Sequence, residues 1–259
     1  MSDTALITGA SSGIGAELAR YHAARGGDVV LTARREAALA DLKAELESAH
    51  GITAHVIALD LGDGGGADRL CDAVEALDLK IDVLINNAGF GGHGVHIDRD
   101  LAAEQAMIDL NVKALVTLTH RFGDAMARRG GGRILNVASI AGMAPGPNQA
   151  VYFATKAFVL SYSQAVDHEL RGRGVTCTAL APGYVETGFA KAGNLENTTM
   201  AKAGGASAAD VAKHGYDAML AGELVTVNER RLGFLMNWIV PFLPRRTVLK
   251  LIARNQSNV

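Results

Sequence analysis

Short apolar runs alternate with longer amphipathic stretches along most of the chain. The runs occupy residues 5–8, 28–33, 54–59, 82–87, 133–138, 175–180 and 223–227, and most are continuously apolar. Strands covered on both faces read this way. The stretches between them, such as 16–25 and 36–50, are rich in Ala, Leu, Glu and Arg and have helical length. Regular alternation of strand and helix predicts right-handed βαβ crossovers and one parallel sheet, here of seven strands. No linker, low-complexity tract or short repeat breaks the pattern, so 1–259 reads as a single α/β domain. Its least regular part is 182–205, expected to form a substrate loop, and it ends in a distinct apolar and basic tail, 228–259.

Composition narrows the function classes. The 259 residues include 49% hydrophobic ones and carry a formal net charge of −2, which is not the basic footprint of a nucleic-acid binder. Cys71 and Cys177 are far apart and form no CxxC pattern, which suits a reducing compartment and offers no zinc site. His93 and His96 lie close together without a further ligand cluster, so no metal is expected. The N-terminal residues lack the pattern of a secretory signal, and no apolar run is long enough to span a bilayer. The expected location is the cytoplasm.

The stretch "TGASSGIG", Thr8 to Gly15, follows the first predicted strand and opens the first helix. Unpaired N–H groups at a helix N-terminus, with the helix dipole behind them, attract an anion. Glycines at Gly9, Gly13 and Gly15 let the backbone approach a pyrophosphate and let helix pack on strand. Further motifs follow in order: "LDL" at 59–61, "NNAG" at 86–89, Ser139, "YFATK" at 152–156 and "PGYVET" at 182–187. Together with the GxxxGxG spacing they resemble the short-chain dehydrogenase/reductase superfamily. The resemblance covers the chain up to about Val227 and implies a doubly wound Rossmann-type fold.

It also implies a cofactor site. The turn residues Gly9, Ser11, Ser12, Gly13, Ile14 and Gly15 would hold the diphosphate. Asp60 and Leu61 would flank the adenine, and Asn87, Ala88 and Gly89 the ribose. Pro182, Gly183, Val185 and Thr187 would face the nicotinamide, and Tyr152 and Lys156 would also touch the cofactor. A dinucleotide fold selects NAD with an acidic residue after the second strand, and NADP with an arginine. This chain has Ala33 there, followed by Arg34 and Arg35. A guanidinium binds a 2′-phosphate through two hydrogen bonds, so NADP(H) is expected, with Arg34 the main contact and Ser11 a second.

Tyr152 and Lys156 stand four apart in a helical segment and so share one face. Bringing a phenol from a pKa near 10 to about 7 takes roughly 4 kcal/mol. A cation about 4 Å away at an effective dielectric of about 20 supplies that much. Lys156 is therefore expected to depress Tyr152. The resemblance assigns Ser139 to the substrate oxygen and Asn111 to a water chain reaching the lysine. The implied reaction is reduction of a ketone or aldehyde by hydride transfer, or oxidation of the corresponding alcohol, with Tyr152 moving the proton.

The tail is apolar between Leu232 and Leu243, includes Trp238, and carries Arg230, Arg231, Arg245, Arg246, Lys250 and Arg254. It suits a subunit arm, a lid over a greasy pocket, or a weak membrane-surface contact; packing on the fold or on a partner copy is favoured. The tail, with "INNAGFG" and "GRILNVASIAG", resembles members handling apolar ketones, ketoacyl and steroid-like compounds among them. The substrate pocket is expected from 91–95, 143–149 and 184–204. Two other readings are a non-catalytic NADP(H)-binding sensor or scaffold and an NAD-linked alcohol dehydrogenase. The resemblance further implies a homodimer or homotetramer joined through the helices bearing Asn111 and Tyr152.

Overall fold

The computed structural model describes residues 3–188, Gly193 and 204–256. Most of the expected 182–205 loop therefore lies outside the described residues. The seven predicted strands all form. They are β1 (Thr4–Thr8), β2 (Asp28–Ala33), β3 (Ala54–Ala58), β4 (Val83–Asn86), β5 (Gly132–Val137), β6 (Val175–Leu180) and β7 (Val225–Thr226). They make one sheet in the order β3-β2-β1-β4-β5-β6-β7, every neighbouring pair parallel. This is a Rossmann-like α/β fold.

Helices cover both faces, which is why the strands are apolar throughout. On one face α1 (Gly13–Ala23), α2 (Glu36–His50) and α7 (Ala208–Ala221) bury Leu18, Leu39, Leu46 and Met219 against Ile7 and Leu31. On the other, α3 (Gly66–Ala76), α5 (Leu115–Arg129) and α6 (Ala150–Arg171) bury Leu70, Leu118, Met126 and Val166 against Leu6, Val30 and Leu84. Leu6 and Ile7 are adjacent in β1 and serve opposite faces, as the two-residue period of a strand requires.

Three departures from the expected elements matter for the site. Helix α1 begins at Gly13, inside the glycine turn, rather than at residue 16. Between α4 (Leu101–Ile108) and α5 the chain widens into a π-helical turn, Asp109–Ala114, which contains Asn111. Such turns insert a residue into a helix and recur at functional sites. The tail folds into α8 (Arg230–Phe234), a π-helical turn, Leu235–Ile239, a short 3-10 turn, and α9 (Arg245–Asn255).

The sheet order reverses direction between β1 and β4. In open parallel sheets the crevice beyond the strand ends at such a switch point is where ligands sit. The glycine turn, the "NNAG" segment, Ser139 and the 182–187 stretch all leave strands at that edge.

Candidate active site

A cavity of about 1150 Å³ opens at the switch point. Its lining takes in Gly9, Ser11, Ser12, Gly13 and Ile14 from the first turn, and Arg34, Asp60 and Leu61 from the next two strand ends. Asn87, Ala88, Gly89, Ser139, Tyr152, Lys156, Pro182, Gly183, Val185 and Thr187 complete the expected set on its wall. Gly15 and Asn111 stand behind the wall.

The glycine turn has the shape an anion needs. Gly9 and Gly13 adopt φ of +67° and +57°, which side chains other than glycine avoid. A Cβ on Gly15 would lie 2.4 Å from the Gly9 carbonyl oxygen and 2.5 Å from Asn87 Nδ2. The N-cap of α1, Ser12, makes no side-chain capping bond, and the first turn holds no acidic residue. The helix thus presents unpaired N–H groups to the cavity. Asn87 straps the turn by donating from Nδ2 to Thr8 O at 2.9 Å, while Thr8 Oγ1 accepts from the Asn87 and Ala88 amides at 2.9 Å. These residues fit a dinucleotide diphosphate.

The two arginines take different places. Arg34 is 78% exposed, with Nη1 3.8 Å from Asp60 Oδ2. Arg35 bends back and donates to Ser11 Oγ at 3.0 Å and Ser12 Oγ at 2.8 Å, which stiffens the turn. The motif pattern points to Arg34; the bracing by Arg35 depends on a contact across 23 residues that no local pattern signals.

At the other end, Ser139 caps a short 3-10 turn, its Oγ accepting from the Ala141 amide at 3.1 Å. It hydrogen-bonds Tyr152. Helix α6 sets Tyr152 and Lys156 on one face, with Nζ 5.9 Å from the tyrosine ring centre. Lys156 is buried and donates to the Val137 carbonyl at 2.8 Å. Burial pulls its ammonium down to about 8. Burial also pushes the Tyr152 phenol up to about 12, and the bond to Ser139 offsets part of that rise. Burial is the leading influence on both groups here, and it carries the phenol upward, opposite to the depression expected from Lys156.

Asn111 is buried beside this pair. Its Oδ1 accepts from the Phe90 amide at 3.1 Å, and its Nδ2 donates to Phe90 O at 2.9 Å and Thr155 Oγ1 at 3.2 Å. A Cβ on Gly89 would sit 2.9 Å from Asn111 Oδ1 and 3.6 Å from Lys156 Nζ. The π turn thus brings the Asn111 amide to the back of Gly89 and Lys156. Beneath lies a buried polar ladder that no local sequence pattern signals. In it Asn86 Nδ2 donates to Thr119 Oγ1 at 3.0 Å and to Asn136 Oδ1 at 2.9 Å, and Asn136 Nδ2 donates to Ser163 Oγ at 2.9 Å. It ties β4 and β5 to the helices carrying the site.

The outer wall is the tail. Leu232, Leu235, Met236, Val240, Leu243, Val248, Leu251 and Ile252 line the cavity opposite Tyr152 and the glycine turn. The end of α9 is pinned: Gln256 O bonds His93 Nε2 at 2.6 Å, and Gln149 Nε2 donates to Gln256 Oε1. Of the segments expected to form the pocket, Gln149, Tyr184, Val185, Thr187 and Gly188 line it, but 91–95 does not. The Gly94 amide is held by Asn148 O at 2.8 Å and His93 by Gln256, so this loop supports the tail. Of the three readings of the tail, packing over the cavity is the one its inner face adopts.

A parallel switch-point cradle for a dinucleotide, with a Ser–Tyr–Lys cluster at its inner end, defines a nicotinamide-dependent oxidoreductase. The chain belongs to the short-chain dehydrogenase family, whose model matches residues 3–198. It is 38% identical over 229 residues to a sulfoacetaldehyde reductase of Chromohalobacter salexigens, covering 86% of this chain and 85% of that one. Among solved structures it is similar to a short-chain dehydrogenase from Sphingobium yanoikuyae in complex with NADPH. The TM-score is 0.82 and the identity 29%, over 94% of this chain and 99% of that one. It is also similar to a bulky-bulky ketone specific alcohol dehydrogenase from Comamonas testosteroni, with a TM-score of 0.78 and 28% identity over 94% and 95% of the two chains.

Proposed function

We propose that this oxidoreductase is an NADP(H)-dependent carbonyl reductase of ketones or aldehydes with sizeable apolar substituents, of ketoacyl or steroid-like character. The observation that carries the reading is the pairing within one cavity of a Ser139–Tyr152–Lys156 cluster with an apolar wall from the tail. The likeness to a bulky-ketone dehydrogenase is in accord with it.

When bound, the reduced nicotinamide supplies the hydride. The α1 N-terminus and Gly9 to Gly15 would hold the diphosphate, and Asp60, Leu61 and Asn87 to Gly89 the adenosine side and ribose. Pro182, Gly183, Val185 and Thr187 would orient the nicotinamide. Arg34, exposed and only loosely paired with Asp60, is available to a 2′-phosphate, while Ala33 offers no competing carboxylate. Ser139 and Tyr152 hydrogen-bond the substrate oxygen. Tyr152, kept protonated by its burial, gives its proton to that oxygen as negative charge develops there. Lys156 stabilises the resulting phenolate by its charge. Asn111 positions Phe90 and Thr155 around Lys156, beside the route by which water would return the proton. The same groups serve alcohol oxidation in reverse.

The whole chain works as one cofactor-binding unit whose tail closes the substrate end. Assembly into a homodimer or tetramer through α4 to α6 is supported by exposed Leu101, Ile108 and Phe158. Turnover of NADPH with a panel of small, bulky, acyl-thioester and steroidal ketones tests the reading. Rates that rise with apolar bulk and exceed those with NADH support it; turnover confined to small charged aldehydes would overturn it.

A further inference from the structure

The tail has two apolar faces, and the fold uses one. Its inner side chains line the cavity, as described above. Its outer side chains Phe234, Trp238 and Phe242 are 61%, 65% and 80% exposed. Large apolar side chains clustered on a surface mark an interaction site rather than chance exposure. Basic residues bracket this run, Arg230 and Arg231 before it and Arg245, Arg246 and Lys250 after it, all exposed. No acidic residue occurs from Arg230 to the end of the sequence. Among the described residues none of these five cations forms an ion pair.

Aromatic rings between unpaired cations match the headgroup region of an anionic bilayer, where rings sit at the acyl boundary and cations on phosphates. A second copy matches poorly, because a symmetric contact sets like patches against each other. Arginines would then face arginines with no carboxylate on the segment to relieve them. No helix among the described residues is long and apolar enough to cross a membrane, so the contact is peripheral.

We propose that the outer face of the tail docks on an anionic phospholipid surface, with Phe234, Trp238 and Phe242 inserted at the headgroups. The docking rests on this face alone. Its consequence rests on the reductase reading: the segment contacting lipid is also the cavity wall, so docking brings the cavity up to ketones dissolved in the bilayer.

Trp238 is the chain's single tryptophan, so its emission reports this face. Full-length protein is titrated with phosphatidylglycerol vesicles and, separately, phosphatidylcholine vesicles. The expected result is a blue shift and quenching by brominated acyl chains with the anionic vesicles, reversed by high salt. Co-sedimentation should fall about tenfold or more in an Arg245→Glu/Arg246→Glu variant and in Phe242→Ser. These variants should keep the thermal midpoint of the parent protein. Emission unmoved by either vesicle overturns the proposal. So does a blue shift that follows protein concentration without lipid, which would assign the face to a second copy. These readouts need no turnover, so failure of the reductase reading leaves them intact.

Discussion

Lys156 donates its ammonium proton to the carbonyl oxygen of Val137 at 2.8 Å, and so ties the centre of α6 to the end of β5. The lysine is thereby held with Nζ 5.9 Å from the Tyr152 ring centre. The bond does not compensate the lost hydration, and the ammonium falls to about 8. The chain thus stores an electrostatic penalty at its reaction centre.

That penalty has a sign and a pH window. An unfolded chain keeps the lysine near its ordinary 10.5, whereas the folded value is about 8. Between those values the unfolded chain binds more protons, so stability rises with pH across the window. Below about 8 the fold carries the full penalty, roughly 3 kcal/mol at about 1.4 kcal/mol per unit. A Lys156→Met variant should therefore gain on the parent most at neutral pH, and lose that relative gain by about pH 10. Thermal midpoints of both proteins across this range check it; a constant difference would contradict it.

On the proposed mechanism the same lysine should set the pH profile of reduction. With Tyr152 pushed up to about 12, its proton stays in place throughout the working range. Lys156 titrates near 8 and stabilises the phenolate only while charged. The rate of ketone reduction at saturating cofactor should hold level below about pH 8 and decline above it. A decline already present at acidic pH would show that another group governs the step.

Ser139 hydrogen-bonds Tyr152, accepts from the Ala141 amide at 3.1 Å and donates to Pro182 O at 3.4 Å, so its hydroxyl is held in place before substrate arrives. Removing one preoriented donor to a developing oxyanion lowers kcat by about 10²-fold. Ser139→Ala should show that loss with an unchanged Kd for NADPH, measured by cofactor fluorescence.

Arg34 and Arg35 should separate in cofactor binding. Arg34→Asp removes an exposed cation and adds a repelling charge, so NADPH should weaken about 10- to 100-fold and NADH little. Arg35→Ala loosens Ser11 and Ser12, on which both cofactors rely, so both should weaken together. Titrations with the two cofactors decide. An unchanged NADPH-to-NADH ratio in Arg34→Asp would contradict the NADP(H) assignment.

Gly15 tests the cradle itself. A methyl group there would overlap the Gly9 carbonyl, which is backbone, and the Asn87 side-chain amide, which Thr8 O holds at 2.9 Å. Gly15→Ala should destabilise by about 1–3 kcal/mol and abolish tight cofactor binding. Gly64→Ala, where an added Cβ meets nothing within 4 Å, serves as the neutral control in the same denaturation series.

The sequence made the scaffold legible where the signal was local. Continuous apolar runs gave strands such as Asp28–Ala33 and Val175–Leu180 at their predicted bounds, because burial on both faces leaves no alternation to misread. The four-residue spacing of Tyr152 and Lys156 put them on one face, as α6 does, but their roles came from the resemblance of the linked motifs. What stayed hidden came from contacts distant in sequence. The pairing of Gln149 with Gln256 spans 107 residues and pins in place a tail for which the sequence left three readings. The drop of Lys156 depends on its burial beneath β5, which a four-residue spacing does not encode. The widening of the helix at Asn111 left no periodic trace because it is confined to a single turn.

Proton delivery by Tyr152 within an NADPH-dependent carbonyl reduction is the step on which the proposed function turns. Its most direct test is NADPH consumption with a bulky ketone by the parent protein and by Tyr152→Phe, with NADPH binding measured on both. The Phe variant should bind NADPH as before and lose about 10³-fold in kcat. A Phe variant that turns over ketone at the parent rate would contradict it.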